Sequence, residues 1–418
     1  MYKLPKFKYL FAAIVLSVGF ISTAQDIPDE YLVEAARNNP GLKSVFNEYL
    51  AALEKVPQVG TLPDPQLTFG YFIQPVETRV GPQRARISLS QMFPWFGTLG
   101  AKKDVATEMA KSKYEMFEEA KSRLYYNVKS TWYNLYFNRK AVTISTENII
   151  ILKMLRKLAL IKVEAGLASS VDVLRAEMEI ADLENQLALL KDNYQVMQTE
   201  FNNLLNVEKE RAVNIPDSLL NQDLFMTRDA VLDSIENGNH QILQLEFMEA
   251  SYAKQELAAR KAGNPNIMVG LDYVITGKGS GTMATVADAG KDAIVFPMVG
   301  ISIPLYRQKY TAMVKESVMM QESAKSGIED KINLLETMYE KADRDYRDAG
   351  RRILLFNGQT NKADKALGIL QTAYETDGKN FEEVMRMERQ LLKYELEREK
   401  ARADKDAAVA FIYYLMGK

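Results

Sequence analysis

Two hydrophobic rhythms alternate along this chain. Over residues 66–74, Leu67, Phe69, Tyr71 and Ile73 alternate with Gln66, Thr68, Gly70, Phe72 and Gln74. Over 84–91, Ala85, Ile87 and Leu89 alternate with Arg84, Arg86, Ser88 and Ser90. The two-residue period returns with Ile267, Val269, Leu271, Tyr273 and Ile275, then with Val295, Val299, Ile301 and Ile303. Such a period with one apolar face predicts half-buried strands, at 66–76, 84–92, 266–276 and 294–304. Each is about 9–11 residues long, the length of a tilted strand that crosses a bilayer.

The second rhythm steps by three and four. From Val173 it runs through Ala176, Ile180, Leu183, Leu187, Leu190, Tyr194, Met197, Phe201 and Leu204. From Ile328 it runs through Ile332, Leu335, Tyr339, Ala342, Tyr346, Ala349, Ile353 and Phe356, resuming at Ala363, Leu367, Leu370 and Tyr374. A seven-residue repeat predicts supercoiled helices packed along a narrow seam. No proline or glycine falls between Ala101 and Glu164. A helix covering that stretch is about 100 Å long at 1.5 Å per residue, too long for a compact globule. The stretch from Tyr306 to Asp377 reads the same way, softened only by Gly327, Gly350, Gly358 and Gly368.

These helices are interrupted twice. In VEAGLASSVDVLRAE (163–177), Gly166 suits a left-handed C-terminal cap, and Ser169 with Asp172 three residues on reads as a capping box. In TDGKNFEEVMRME (376–388), Gly378 takes the glycine's place, and Glu382 and Glu383 suit the positive end of the next helix. Each break predicts a helical hairpin at the end of the long helices furthest from the strands.

The breaks belong to a larger duplication. Pro65-Gln66-Leu67 matches Pro265-Asn266-Ile267, Phe93-Pro94 matches Ile303-Pro304, and Gly166 matches Gly378. Both halves read helix, strand, strand, very long helix, break, helix. The predicted organisation is a first repeat over 25–215 and a second over 216–418, two similar halves of one mainly helical architecture.

Composition narrows the class. With 53 Lys plus Arg against 55 Asp plus Glu, the net charge of -2 points to no nucleic-acid partner. There is no cysteine, which excludes disulfides, thiolate metal sites and a lipidated N-terminal cysteine. Lys3, Lys6 and Lys8 precede an apolar run from Tyr9 to Ile21, and Ser22-Thr23-Ala24 offers a cleavage site before Gln25. We read residues 1–24 as a secretory signal, since the run is shorter than the roughly 20 residues of a spanning helix. Four strands cannot close a barrel, and open edges in lipid cost several kcal/mol per unpaired group. Strands in a membrane must therefore be pooled between copies. Two copies give eight strands and three give twelve, and this reasoning leaves both open. The expected object is a hollow helical post capped by a small barrel.

DPQLTFGY (64–71), SLSQMFPWFGTLG (88–100) and the paired GLASSVDVLRAE and GKNFEEVMRME breaks, in that order within a duplicated plan, resemble the TolC family of outer-membrane efflux proteins. The resemblance implies a homotrimer with a twelve-strand barrel in outer-membrane lipid and a twelve-helix tunnel through the periplasm. It implies a passive conduit, docked to a periplasmic adaptor and energised by an inner-membrane RND or ABC transporter. By position, Gly166, Leu167, Ser169 and Asp172 would lie at the first tip of the periplasmic entrance. Tyr374, Gly378, Phe381 and Glu383 would lie at the second. The family often shuts its entrance with an acidic residue bonded to a basic one and a tyrosine. Asp172 and Tyr374 match two of these roles. Asn380 occupies the basic position, leaving Lys379 or Arg386 to substitute.

SQMFPWFGTLG resembles the branch associated with heavy-metal cations, but no metal site is expected. His240 is the only histidine, and Met385, Met387, Met319 and Met320 read as helix packing. No nucleophile motif, phosphate loop or His/Cys cluster appears, so neither catalysis nor a cofactor is expected. The rival reading is an exported coiled-coil spacer or adhesion stalk without a pore. It shares the signal and the heptads but gives no reason for strands at matching points of each half.

Overall fold

The computed structural model of the chain describes residues 27–78, 81–219, 223–277, 293–377 and 380–418. The signal reading of 1–24, most of the polar loop after Thr276, and both Gly378 and Lys379 lie outside the described residues. The elements in order are α1 (Asp29–Asn38), α2 (Pro40–Gly60), β1 (Gln66–Val76), β2 (Gln83–Phe93), α3 (Thr98–Glu164) and α4 (Ser170–Leu205). Then come α5 (Arg228–Gly238), α6 (His240–Ala262), β3 (Asn266–Thr276), β4 (Ala293–Ser302), α7 (Arg307–Asp377) and α8 (Phe381–Leu415). Each half opens with two helices rather than the single one expected. Asn39 accounts for the first break. Its side chain accepts from Leu42 N at 3.0 Å, starting a new helix, and donates to Leu204 O at 3.0 Å.

Two compact units divide the chain, and each draws on both halves. The first comprises the described residues of Met1–Val45, Phe117–His240 and Lys331–Lys418, the second Phe46–Met116 and Gln241–Asp330. The long helices α3 and α7 contribute to both. Among the described residues, no helix is long and apolar enough to cross a membrane.

In the second unit, the four strands form one antiparallel sheet in the order β1-β2-β3-β4. Thr68 stands opposite Ser88, Ser88 opposite Asp272 and Asp272 opposite Phe296. Leu67 likewise meets Leu89, and Leu89 meets Leu271. The register therefore sorts the sheet into two faces. One carries Leu67, Phe69, Tyr71, Ile87, Leu89, Val269, Leu271, Tyr273, Val295, Val299 and Ile301. The other carries Thr68, Ser88, Ser90, Arg86, Asp272 and Thr276 with glycines, methionines and Phe296.

Within the single chain the apolar face is the exposed one. Phe69 is 70% exposed, Ile73 90% and Val299 80%, while Asp272 and Thr276 on the opposite face are buried. Period two establishes which residues share a face and leaves open which face is covered. Around the sheet's helices small side chains allow close approach. Ser251 donates to Val105 O at 3.2 Å and Ser112 to Gln244 O at 3.1 Å.

The first unit holds the larger core. Trp132 is buried and donates to Asn214 O at 3.1 Å, and Arg139 donates to Ile215 O at 2.7 Å, pinning the segment after α4. Tyr31 packs edge-on to Phe201 with ring centroids 5.1 Å apart. The predicted seams are the buried ones: Ala176, Ile180, Leu183 and Phe201 on α4, and Leu335, Tyr339, Ala342, Ala349, Ile353, Ala363, Leu367 and Tyr374 on α7. Apolar side chains off these seams are left bare, among them Leu174, Met178 and Leu189 on α4 and Leu354 and Ile369 on α7.

Candidate functional site

The two helical turns of the first unit are built by different backbone devices. At the end of α3, Leu167 N donates to Lys162 O at 2.8 Å and Gly166 N to Val163 O at 3.0 Å. This pair of bonds is the Schellman cap, which needs a left-handed residue at its penultimate position. Gly166 supplies it, with φ of 71°. Leu167, which in such caps often folds back on the helix, is 59% exposed.

The next helix starts at Ser169, whose hydroxyl accepts from Val171 N at 3.2 Å. The expected capping box does not form, because the Ser169 hydroxyl caps the second residue of the helix and not the third. Asp172 N bonds to the Ser169 carbonyl at 3.0 Å, while the Asp172 carboxylate forms an ion pair with Arg175 at 3.8 Å. The reciprocal box uses Glu or Gln, and the shorter Asp side chain turns forward to a cation instead. At the second turn the left-handed residue among those described is Asn380, with φ of 69°, and its side chain makes no capping bond. Asparagine tolerates this conformation better than most residues.

Between the turns lies a small apolar core. Tyr374 on α7 and Phe381 on α8 are buried with ring centroids 4.9 Å apart, packed with Leu155, Ala159, Ala176, Val384 and Met385. Lys162 is buried beside them. Its ammonium lies 5.8 Å from the centre of the Tyr374 ring and donates to the Glu375 carbonyl at 2.7 Å, near the end of α7. The Tyr374 hydroxyl is buried with no hydrogen-bond partner. Burial, then the Asp172 carboxylate, pushes its pKa up to about 12. Burial also raises the Asp172 carboxyl above its ordinary range, partly offset by Arg175.

The expected acidic–basic–tyrosine network does not assemble among the described residues. Arg386 is exposed and pairs with Glu383 on its own helix. Arg175 instead reaches Glu382 at 3.1 Å as well as Asp172 and so ties α4 to α8. Sequence reasoning passed over Arg175 and Lys162. The i, i+3 spacing of Asp172 and Arg175 was the one available signal. Of the methionine pairs, Met385 is buried in this core and Met387 packs on it, while Met319 and Met320 are exposed. His240 is the first residue of α6.

Further along α8, Glu388 is buried. One carboxylate oxygen accepts from Asn148 Nδ2 on α3 at 2.8 Å, and the other has no partner. Burial and the Glu395 carboxylate, with Asp364 adding to them, push its pKa up to about 7 against the Asn148 hydrogen bond.

Residues 31–207 match the family of outer membrane efflux proteins. Over those residues the chain is similar to that family. No curated protein matches the chain in sequence. Its fold is that of solved outer-membrane channels. The outer-membrane channel OprN superposes with a TM-score of 0.75 at 16% identity, over 93% of this chain and 89% of that one. The transmembrane channel CusC gives 0.77 at 14% identity, over 96% and 99%. The outer membrane protein VceC of Vibrio cholerae gives 0.76 at 13% identity, over 93% and 95%. The family expected from the ordered strand and tip motifs is thus the one that residues 31–207 resemble, and the fold is similar to that of outer-membrane channels.

Proposed function

We propose that this protein is the outer-membrane exit duct of a tripartite efflux system, a homotrimer that conducts passively. The observation that carries this reading is the sheet. Its bare face is apolar, its other face is polar, and its outer strands β1 and β4 are each paired on one side only. Bare apolar residues on a sheet with two open edges fit lipid contact combined with closure between copies. β1 and β4 run antiparallel, so the β4 edge of one copy pairs with the β1 edge of the next, and three copies close a twelve-strand barrel. The bare apolar side chains of α4 and α7 then face neighbouring helices of the assembly, which forms the periplasmic tunnel. The family match over residues 31–207 supports efflux as the activity.

On this reading the turns around Gly166 and Asn380 form the periplasmic entrance. Leu167 offers an apolar contact to an adaptor there, and the ion pairs of Arg175 hold the turns together. An inner-membrane pump supplies the energy. Light scattering on the purified detergent complex is expected to give three copies, and cell fractionation to place the protein with the outer membrane. A monomeric rod recovered in the periplasmic fraction would favour the coiled-coil spacer and end the channel reading. Leu167→Asp is expected to lower the yield of crosslinks to the cognate adaptor while trimers persist. An unaltered yield would remove this turn from the docking surface.

A further inference from the structure

The polar face of the sheet carries one organised charge cluster. The charged residues of the four strands are Arg84, Arg86 and Asp272. Asp272 has no exposed side-chain surface, whereas the Arg86 side chain is 41% exposed. Arg86 covers Asp272 through an ion pair. Its guanidinium also lies 5.9 Å from the centre of the Phe296 ring and donates to Met298 Sδ at 3.6 Å. A carboxylate, a π-face and a thioether thus hold this cation from three sides. Arg84 is exposed at the irregularity of register between Gln83 and Ala85. Arg86 is thus partly exposed on the polar face, and the anion is sealed beneath it.

We propose that Arg86, positioned by Asp272, sets the charge preference of the barrel and biases it toward anions. This rests on the channel reading above, in which the polar face lines the lumen. Each copy then contributes a partly exposed Arg86 over a fully buried aspartate, with a second exposed arginine, Arg84, at the start of β2. Rings of positive charge along the lumen attract anions and repel cations. The effect is strongest at low salt, because charges act over about 30 Å at 0.01 M ionic strength but only about 10 Å at 0.1 M.

The test measures reversal potentials of the purified full-length protein in planar bilayers, with a gradient of 10 mM against 100 mM KCl. Two substitutions avoid leaving a buried carboxylate unpaired. Asp272→Asn is expected to raise the chloride-to-potassium permeability ratio relative to wild type. The double substitution Arg86→Gln/Asp272→Asn is expected to lower it, by about two- to fivefold for a charge acting at close range. Arg86→Lys, which keeps the charge, is expected to stay near wild type. Stepwise currents with the same reversal potential in wild type and both neutralised forms would overturn the inference and leave the channel reading standing. Wild-type protein that inserts without any stepwise current would overturn both.

Discussion

Arg175 on α4 lies 3.1 Å from Glu382 on α8, so one guanidinium joins the opening turns of two helices more than two hundred residues apart in sequence. The same side chain pairs with Asp172 at 3.8 Å. Both partners of the inter-helix contact are exposed enough that it adds less than about 1 kcal/mol to folding. Its value lies in position. Arg175→Ala is therefore expected to leave the thermal midpoint nearly unchanged while raising single-channel conductance, with Asp172→Ala acting in the same direction. Equal conductance in wild type and both variants would release these residues from any gating role and leave Asp172 a helix-start residue.

Tyr374 separates ring from hydroxyl. The ring is core, and the hydroxyl is buried without a partner. Tyr374→Phe is expected to be neutral or slightly stabilising, because it removes an unsatisfied polar atom and keeps the shape. Tyr374→Ala is expected to cost about 3–5 kcal/mol, as for other large aromatic deletions. Calorimetry on the two variants decides. A large loss in Tyr374→Phe would mean that the hydroxyl has a partner in the working assembly.

Glu388 makes stability depend on pH. Its carboxyl holds a proton to about pH 7 when folded, against an ordinary value of 4.5. Between those values the folded state binds more protons than the unfolded one, so stability falls as pH rises through this window. The full loss, reached above pH 7, is at most about 3 kcal/mol. Glu388→Gln is expected to raise the thermal midpoint at pH 8 and to change it little at pH 4. A midpoint gain of the same size at both pH values would show that the carboxyl does not titrate in this window.

Gly166 is required by its backbone angle and not by crowding, since nothing lies within 4 Å of where a Cβ would stand. Gly166→Ala is expected to cost about 1–2 kcal/mol from the left-handed conformation, and Gly166→Asn less. Denaturant unfolding of the two variants measures the difference. Equal stability of Ala and Gly would mean that the turn re-forms with another residue in that conformation.

The long helices, their seams and the strand bounds were legible in the sequence to within one or two residues, because periods of two and of three-and-four are local properties. Gly166 was legible as a cap for the same reason. The failure of the capping box at Ser169 was not, because nothing in the spacing tells whether Asp172 turns back to the backbone or forward to Arg175. The pairing of Asn148 with Glu388 was equally hidden, since each reads as an ordinary polar residue on a solvated helix. That pair exists only where α3 and α8 pass in one particular register.

What the sequence by itself determined is therefore the set of elements, their order, and which residues share a face of each. The tertiary structure decided what those faces meet: that the sheet leaves its apolar side bare, that Asp272 is sealed under Arg86, and that Arg175 rather than Arg386 spans the two turns. The physical reason is range. Backbone propensity and periodicity act over one or two turns of chain, whereas burial and charge pairing depend on helices and strands brought together from more than a hundred residues away.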